Sequence, residues 1–290
     1  MSFTRKRIDV TISLGTGQYG ETGSSTVTLS NHRVQAMVQL IPGDVMPSAQ
    51  VRIFGLPLDM LNQLTAVGLV NSAVRFHNSM LIQAGDDETG LSTIYDGTIK
   101  DSWANLDGMP DSALEIIAMG GLAAALKPVT PSSFPGQADV ATIMKGLAQQ
   151  MGFAFENNGV QVQLSNPYFP GTALAQAHAC ARAAGIWMTI DRGTLAIWPK
   201  NGARATQGDI PIISASTGMR GAPRFASTAV EVWSLFNPHI KVGGLIQIQS
   251  NKLTAANGIW YVSEATHTLE SEVPEGAWFT RVVAKPYTNG

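Results

Sequence analysis

The densest acidic cluster of the chain, Asp86-Asp87-Glu88, is the first place where the sequence could do chemistry. Hard cations such as Ca²⁺ prefer carboxylate oxygens as ligands. The cluster lacks the alternate spacing and the terminal glutamate of an EF-hand loop, and it follows a strand-like segment, where a turn is expected. A solvated turn is therefore the favoured interpretation, and cation binding is the alternative.

Two further carboxylates, Glu264 and Glu270, lie an even number of residues apart in a predicted strand and therefore on one face. A pair of carboxylates is what glycoside hydrolysis requires. A β-rich chain with 21 acidic residues offers many such pairs, so the signal is weak. Tryptophans could add a carbohydrate platform if several were exposed on one face, but core or interface packing is their default in strands. The six are Trp103, Trp187, Trp198, Trp233, Trp260 and Trp278. We predict that Trp278 and Phe236 are largely buried.

The histidines and the single cysteine lack the spacing of a metal site or a catalytic dyad. No two histidines form an H-x-H or H-x-x-x-H pattern, and there is no second cysteine to share a zinc ion. Cys180 and His178 are two residues apart in a predicted helix, so their side chains face different ways. We expect Cys180 to be buried against a sheet. The histidines are His32, His77, His178, His239 and His267.

The glycines at 15, 17 and 20 match the letters of a G-x-G-x-x-G motif after a predicted strand. A Ser/Thr-rich strand follows them instead of a helix, which excludes a dinucleotide site. The chain contains neither a Walker sequence nor a G-x-S-x-G motif. We therefore predict no catalytic, cofactor-binding or metal site, and a protein that is not an enzyme.

The composition favours a subunit of a larger assembly. Charged residues make up 14% of the 290 residues, against roughly 25% in an ordinary soluble protein. A polar, weakly charged surface suits contact with neighbours, because interface cores are depleted in charge. The net charge of −2 excludes a strongly basic nucleic-acid binder. Arg5-Lys6-Arg7 could contact acidic neighbours or be an ordinary solvated segment.

The cysteine count and the length of the apolar runs limit the cellular compartment in which the protein folds. One cysteine permits no internal disulfide, which fits folding in a reducing cytoplasm. The segment after Arg7 alternates and is too short for a signal peptide. No run approaches the ~20 apolar residues needed to cross a bilayer, so we expect a soluble protein without membrane insertion of its own.

The last third of the chain predicts four strands that meet at tight turns. Each starts or stops at Gly, Asn or Pro, and the second alternates apolar with polar residues. Short strands joined in this way indicate a small closed or nearly closed antiparallel barrel. The predicted strands are 228–236, 245–249, 259–269 and 277–284.

Two more domains precede these strands. Residues 1–128 predict a larger β-domain with one short helix after Pro57. Residues 129–204 predict helix, hairpin, helix, hairpin, with helices at 140–151 and 173–184 and turns at 157–159 and 191–193. The fold class is therefore β-rich α+β, in which β-barrel domains at 1–128 and 205–290 flank a small α+β domain at 129–204. Strands of the first domain are predicted at 7–14, 26–29, 34–40, 51–54, 74–76, 80–84, 93–99 and 113–118.

An ordered set of segments resembles the baseplate hub proteins of contractile-tailed phages. The set spans nearly the whole chain, and its order, rather than any single motif, carries the resemblance. Late-control proteins and type VI valine–glycine repeat proteins share this architecture. The segments are 5–14, Ala84-Gly85-Asp86, Asp96-Gly97-Thr98-Ile99, Asn158-Gly159-Val160, 164–171, Ala184-Gly185-Ile186, 195–199, Ser216-Thr217-Gly218-Met219, Leu235-Phe236-Asn237-Pro238, Val242-Gly243-Gly244, Asn257-Gly258-Ile259-Trp260, His267 and 276–280.

The resemblance implies a homotrimer in which each subunit supplies two tube-like β-barrel domains. Three subunits would present six similar barrels as a pseudo-hexameric ring that joins the six-fold tail tube above to the three-fold spike below. The middle domain would contact the spike or other baseplate proteins, and genomic DNA would pass through the lumen without specific binding. The location implied is the tail baseplate of the virion, assembled in the host cytoplasm.

We therefore predict a structural baseplate hub of a contractile phage tail. Because the chain stops soon after its last predicted strand, we expect no fused spike or lysozyme domain and no lytic activity. Two alternatives stay open. One is a carbohydrate-active tail protein, lytic or glycan-binding, that acts on the host envelope. The other is the hub of a type VI-like injection system.

Overall fold

The computed structural model of the chain describes residues 4–15, 24–65, 78–205 and 209–287. Residues 16–23, 66–77, 206–208 and the termini lie outside the described part, and with them Gly17 and Gly20 of the glycine motif, His77 and the strand predicted at 74–76. The chain divides into two compact units. The first comprises Met1–Gln39, Ser48–Leu122 and His267–Phe279, and the second comprises Leu40–Pro47, Ala123–Thr266 and Thr280–Gly290. The division into 1–128, 129–204 and 205–290 stays a prediction.

The first unit is built on one antiparallel sheet and one helix. Its elements are β1 (Lys6–Ser13), β2 (Thr26–Leu29), β3 (Val34–Leu40), β4 (Ser48–Phe54), α1 (Leu58–Thr65), β5 (Ser79–Asp86), β6 (Gly90–Asn105) and β7 (Ala113–Met119). These strands lie in the order β3-β4-β7-β6-β5-β1-β2, and the end of β19 (Gly258–Glu270) adds to the β3 side.

Alternation along these strands separates a buried face from an open one. In β3, Val34, Ala36 and Val38 are buried, while the residues between them point to the other face. Helix α1 follows Pro57 and buries Leu61 and Leu64, which lie on one helical face. The core of the unit therefore lies on one side of the sheet, and the opposite side is available for contacts.

The second unit contains three helices and the remaining strands. Strand β14 is the centre of a three-stranded sheet, β10-β14-β13, while the C-terminal strands lie in the order β16-β17-β20-β19-β18-β15. Two short pairs, β9 with β11 and β8 with β12, complete the unit. Its elements are α2 (Leu122–Leu126), β8 (Ser132–Ser133), β9 (Gln137–Asp139), α3 (Val140–Met151), β10 (Ala154–Asn157), β11 (Gln163–Ser165), β12 (Tyr168–Phe169), α4 (Ala173–Ala184), β13 (Ile186–Asp191), β14 (Thr194–Pro199), β15 (Ile212–Ser214), β16 (Met219–Phe225), β17 (Val230–Leu235), β18 (Leu245–Gln249), β19 and β20 (Trp278–Pro286).

Helices α3 and α4 have the predicted bounds because both ends of each are capped locally. Asp139 and Thr172 precede the helices, and their side chains accept hydrogen bonds from backbone N–H groups of the first turn. Gly152 and Gly185 end them in the left-handed conformation, with φ of 81° and 64°. One face of α4 carries small residues, and on it Ala177 and Cys180 are fully buried in a core to which α3, β13 and β14 also contribute.

The hairpin predicted around Asn157-Asn158-Gly159 is wrong, whereas the one around Asp191-Arg192-Gly193 is confirmed. Strand β10 pairs in parallel with β14, and β11 pairs with β9 instead of with β10. The reason is local: the Asn157 carboxamide bonds both the N–H and the carbonyl of Val160, at 2.8 and 3.1 Å. Asn158 N–H continues the ladder to Ile197. The turn thus leads away from β10 rather than back onto it.

The β-rich α+β class is confirmed. Within each unit the strand order of the described residues is open, and no closed barrel is formed there. In the described part of the chain, no helix is long and apolar enough to cross a membrane.

Candidate interaction surfaces

The Asp86 cluster forms the tight turn between β5 and β6. Asp86 Oδ1 accepts hydrogen bonds from the N–H groups of Glu88 and Thr89 at 2.9 and 2.7 Å. The bond from the Thr89 backbone lowers the pKa of Asp86, because it stabilises the charged carboxylate. The predicted turn is therefore observed. Among the described residues, no three His, Cys, Asp or Glu side chains are grouped as metal ligands.

The two carboxylates considered for glycoside hydrolysis are each held by an arginine. Glu270 accepts hydrogen bonds from Gln35 at 2.9 Å and Arg33 at 3.1 Å, and Glu264 lies 3.5 Å from Arg281. The bond from Gln35, aided by Arg33, lowers the pKa of Glu270. A general acid needs the opposite shift, so the surroundings of Glu270 favour an ion pair over proton donation.

His178, His267 and Cys180 occupy paired or buried positions. His178 Nδ1 lies 2.8 Å from an Asp44 carboxylate that also binds Arg182 at 2.8 Å. Burial lowers the pKa of His178 despite this carboxylate. Cys180 is fully buried, as predicted, and burial raises the pKa of its thiol to about 12. His267 is also buried, so neither residue is open to a substrate.

The tryptophans do not form an exposed platform. All six lie in strands, and Trp198 and Trp278 are buried, as predicted for Trp278. Phe236, also predicted to be largely buried, is only half-buried. Trp103 is the most accessible tryptophan, with 36% of its surface exposed. A single accessible ring suits a contact surface better than sugar stacking.

A groove of about 610 Å³ lies on the open face of the first unit's sheet. Alternation in β3, β4, β6 and β7 places these side chains together, because their neighbours in each strand point into the core. The groove is both amide-rich and apolar. Its lining includes Gln35, Met37, Gln50, Arg52, Trp103 and Glu115.

The charges of this groove are neutralised within the chain. Glu115 accepts hydrogen bonds from Asn105 and Arg52, each at 2.8 Å. These contacts, with that from Asn105 the largest, lower the pKa of Glu115. A surface with amides, a methionine and an accessible tryptophan, but with paired charges, is suited to contact with protein.

The C-terminal strands of the second unit expose apolar side chains in register. Ile212 of β15, Gln247 of β18 and Ile259 of β19 are aligned across three strands and face the same side. Ile212 and Ile259 are 40% and 47% exposed. Ile213 and Ile248, one residue further along, are buried on the opposite side. This row therefore presents isoleucine to solvent although the inner face of the sheet already has its apolar core.

Strand β16 lies at the end of the strand order and has one neighbour, β17, among the described strands. Phe225, its last residue, is 48% exposed, and its ring lies 6.3 Å from that of Trp260. Next to it, Arg224 binds Glu231 at 3.0 Å, and Arg281 holds the same carboxylate at 3.1 Å. An edge strand with an exposed aromatic side chain is a place where another chain can add.

A buried cluster around Arg204 holds the loops of the second unit together. Its guanidinium makes two bonds to Glu156, both 2.9 Å, and one of 2.6 Å to Asp191. Asp191 also binds Arg192, and the Arg204 side chain is only 3% exposed. Arg204 lies in the loop at 201–205 after β14 and was not singled out from the sequence, so this cluster was not predicted. The available signal was that Arg204 is the one charged residue in that loop.

The surfaces described above offer contacts rather than a reaction centre. The family model described as "Baseplate hub gp41" matches residues 7–276 of the sequence. None of the curated proteins compared with this sequence matches it significantly.

Solved structures of phage tail proteins have the same fold. A tail protein from Neisseria meningitidis MC58 is similar with a TM-score of 0.64 at 10% identity, covering 97% of this chain and 98% of that one. The 43 kDa tail protein of prophage MuSo2 from Shewanella oneidensis gives 0.62 at 9% identity, covering 95% and 96%. The E. coli c3393 protein, described as a type VI secretion component similar to the T4 tail proteins gp27 and gp5, gives 0.59 at 11% identity, covering 88% and 74%. At these identities the likeness shows the fold alone.

Proposed function

The chain belongs to the baseplate hub gp41 family, and from that premise we propose that three copies form the ring-shaped hub of a contractile phage tail. Family membership makes the protein a structural component of the phage baseplate and hence of the virion. The proposal adds the stoichiometry and the arrangement. Two tube-like domains per chain, 1–128 and 205–290, would supply six similar walls. The ring would adapt a six-fold tail tube to a three-fold spike.

The observation that carries the proposal concerns the C-terminal strands, which expose apolar side chains and, among the described strands, include one with a free edge. Edge strand β16, with Phe225 exposed, and the isoleucine row of Ile212 and Ile259 are liabilities in an isolated chain. A ring of adjacent subunits would cover them. The low charged fraction of 14% agrees with extensive subunit contact, because obligate interfaces are apolar.

Neighbours above and below the ring would use other surfaces. The sheet groove with Trp103 offers one contact for the tail tube protein, the spike protein or another baseplate protein, and the segment 129–204 offers another. Three copies would carry a formal charge of −6, three times the −2 of one chain. Such a ring would let DNA pass without gripping its phosphates, since tight phosphate binding needs clustered cations. Assembly in the host cytoplasm, without membrane insertion and without catalysis, completes the proposal.

Light scattering on the purified chain tests the stoichiometry. We expect about 92 kDa, three times the 30.8 kDa of one chain. Phe225→Arg and Ile259→Arg together should shift the mass toward that of a monomer, because each places a charge on an apolar contact. Leu58→Arg is the matched control: Leu58 is 60% exposed on α1 of the first unit and belongs to neither β16 nor the isoleucine row, so this variant should assemble normally. Circular dichroism shows whether both variants remain folded.

Three results would contradict the proposal. The first is a stable monomer at every concentration tested. The second is absence of the protein from purified phage particles, which would favour the type VI-like injection system. The third is hydrolysis of peptidoglycan that Glu270→Gln abolishes, which would favour the carbohydrate-active alternative.

A further inference from the structure

A second cavity, of about 320 Å³, lies within the second unit and differs in chemistry from the sheet groove. Its walls come from the segment before β4, from β13, from the residues after β14, from the first half of β19 and from the end of β20. Aromatic and aliphatic side chains line it together with two lysines. Its lining includes Ile41, Trp187, Lys200, Tyr261, Lys285 and Tyr287.

Two lysines supply charged donors to this cavity. Lys200 Nζ lies 5.9 Å from the centre of the Trp187 ring, a cation–π contact that keeps the ammonium above the cavity wall. Lys285 is exposed on the last strand. Within the described residues, neither lysine makes an ion pair, and no acidic side chain lines the cavity. The cavity therefore carries positive charge that no lining carboxylate neutralises.

Tyr261 adds a third, directed donor. Its oxygen accepts a hydrogen bond from the indole N–H of Trp198 at 3.1 Å. Trp198 is fully buried, so this contact fixes the phenol and leaves its O–H proton for a ligand. Because burial raises the pKa of Tyr261, the hydroxyl stays protonated and donates.

We propose that this cavity binds an acidic peptide segment of a partner protein, with a carboxylate between Lys200 and Lys285 and an apolar side chain against Trp187. The positive charge of the two lysines favours binding of a carboxylate, and the aromatic side chains favour an adjacent apolar group. The volume lies at the small end of the ~300–1,000 Å³ typical of ligand cavities, which suits a few residues. The inference does not depend on the trimeric ring, because every lining residue belongs to one chain.

A peptide fits the cavity better than a nucleic acid. Phosphate recognition usually relies on the bidentate fork of arginine, and no arginine lines the cavity in the described residues. Binding to a DNA backbone also requires a row of cations that follows successive phosphates. Two lysines around a single small cavity suit an isolated carboxylate.

Fluorine NMR on the full chain carrying 5-fluorotryptophan tests the proposal, since the six tryptophans report from separate places. The Trp187 resonance is assigned from Trp187→Phe. The probe is Ac-Leu-Glu-Glu-NH₂, and we expect the Trp187 signal to shift most, with a dissociation constant of about 1 mM or tighter. The neutral peptide Ac-Leu-Gln-Gln-NH₂ should bind about 10-fold more weakly or not at all.

Charge-matched variants show whether the cavity is responsible. Lys200→Gln with Lys285→Gln should weaken binding by about 10-fold or more. Lys145→Gln, an exposed lysine of α3, should leave it unchanged. Equal binding of the two peptides, no shift of Trp187, or retained affinity in the double variant would overturn the proposal. Tighter binding of inorganic phosphate or of octathymidine than of the acidic peptide would do so in favour of a phosphate ligand.

Discussion

Replacing Arg204 by Met should destabilise the protein by about 3 kcal/mol at pH 7. The change removes three charge-assisted hydrogen bonds, two to Glu156 and one to Asp191, from a side chain that is 3% exposed. Breaking a buried ion pair typically costs about 3–5 kcal/mol, because the remaining charge is left without a partner. Methionine keeps much of the volume, so the effect reports on charge rather than on a cavity.

We expect a loss at the lower end of that range, because both carboxylates keep another source of stabilisation after the substitution. Asp191 retains Arg192 at 3.0 Å, and Glu156, whose side chain is 32% exposed, can be hydrated. Arg192→Met should cost less than Arg204→Met, because it leaves Asp191 bonded to Arg204. Adding Asp191→Asn to Arg204→Met should recover part of the loss, since the buried charge is then gone.

The pH dependence gives the reasoning an independent test. Burial opposes the charge of Asp191, but Arg192 and Arg204 outweigh it and hold the pKa below its ordinary value. Burial likewise opposes the charge of Glu156, and Arg204 outweighs it, so the pKa of Glu156 is also lowered. Groups with lowered pKa values stabilise the fold above their unfolded pKa, about 4, and lose that contribution as the pH falls further. The difference in unfolding free energy between wild type and Arg204→Met should therefore become smaller below about pH 4.

Urea denaturation at one fixed chain concentration measures these differences, because self-association makes stability depend on concentration. Arg182→Met is the control. Arg182 also binds a carboxylate, Asp44, at 2.8 Å, but both side chains are about 60% exposed, at 61% and 59%. The control should lose less than about 1 kcal/mol. Equal losses in Arg204→Met and Arg182→Met, or a gap independent of pH, would refute the buried-cluster account.

Four other expectations follow from single positions. Trp278→Ala should cost about 3–5 kcal/mol in denaturant unfolding, because the ring is 7% exposed, and a neutral effect would contradict its core position. Gly243→Ala should lower the melting temperature, since φ is +83° and a Cβ would lie 2.6 Å from the Trp198 ring. Glu231→Gln should flatten the loss of stability between about pH 4 and pH 2, because hydrogen bonds, that from Arg281 foremost, lower the Glu231 pKa to about 2. Cys180 should react with a thiol reagent at pH 8 only on unfolding, and rapid labelling of the native protein would contradict its burial.

What the sequence could predict was the locally encoded part of the fold. The bounds of α3 and α4 follow from cap residues within one turn of each helix end, and the Asp191 hairpin follows from its own turn. The failed hairpin at Asn157 shows the limit. Its strand, β10, pairs with residues 194–197, about 40 positions away, and no local pattern encodes that choice.

The contact surfaces were beyond sequence reasoning for a related reason. Residue type does not distinguish the exposed Ile212 and Ile259 from the buried isoleucines of the same strands. Only the register across β15, β18 and β19 shows which face is open. The Lys200 cavity likewise gathers residues from five separate segments. Neither feature has a motif, because its members are brought together by pairing rather than by spacing.

The arginine charges of this chain are largely paired within it. Most arginines hold a carboxylate of the same chain, which leaves little free charge with which to attract a neighbour. Subunit contacts would then depend on apolar burial and on the hydrogen bonds of open strand edges, both of which require complementary shape and register. The cavity with Lys200 differs from these sites, since among the described residues neither of its two lysines forms an ion pair, and it is therefore a place where a negatively charged neighbour would be distinguished. These pairs include Arg5–Glu272, Arg33–Glu270, Arg52–Glu115, Arg182–Asp44, Arg192–Asp191, Arg204–Glu156, Arg224–Glu231 and Arg281–Glu231.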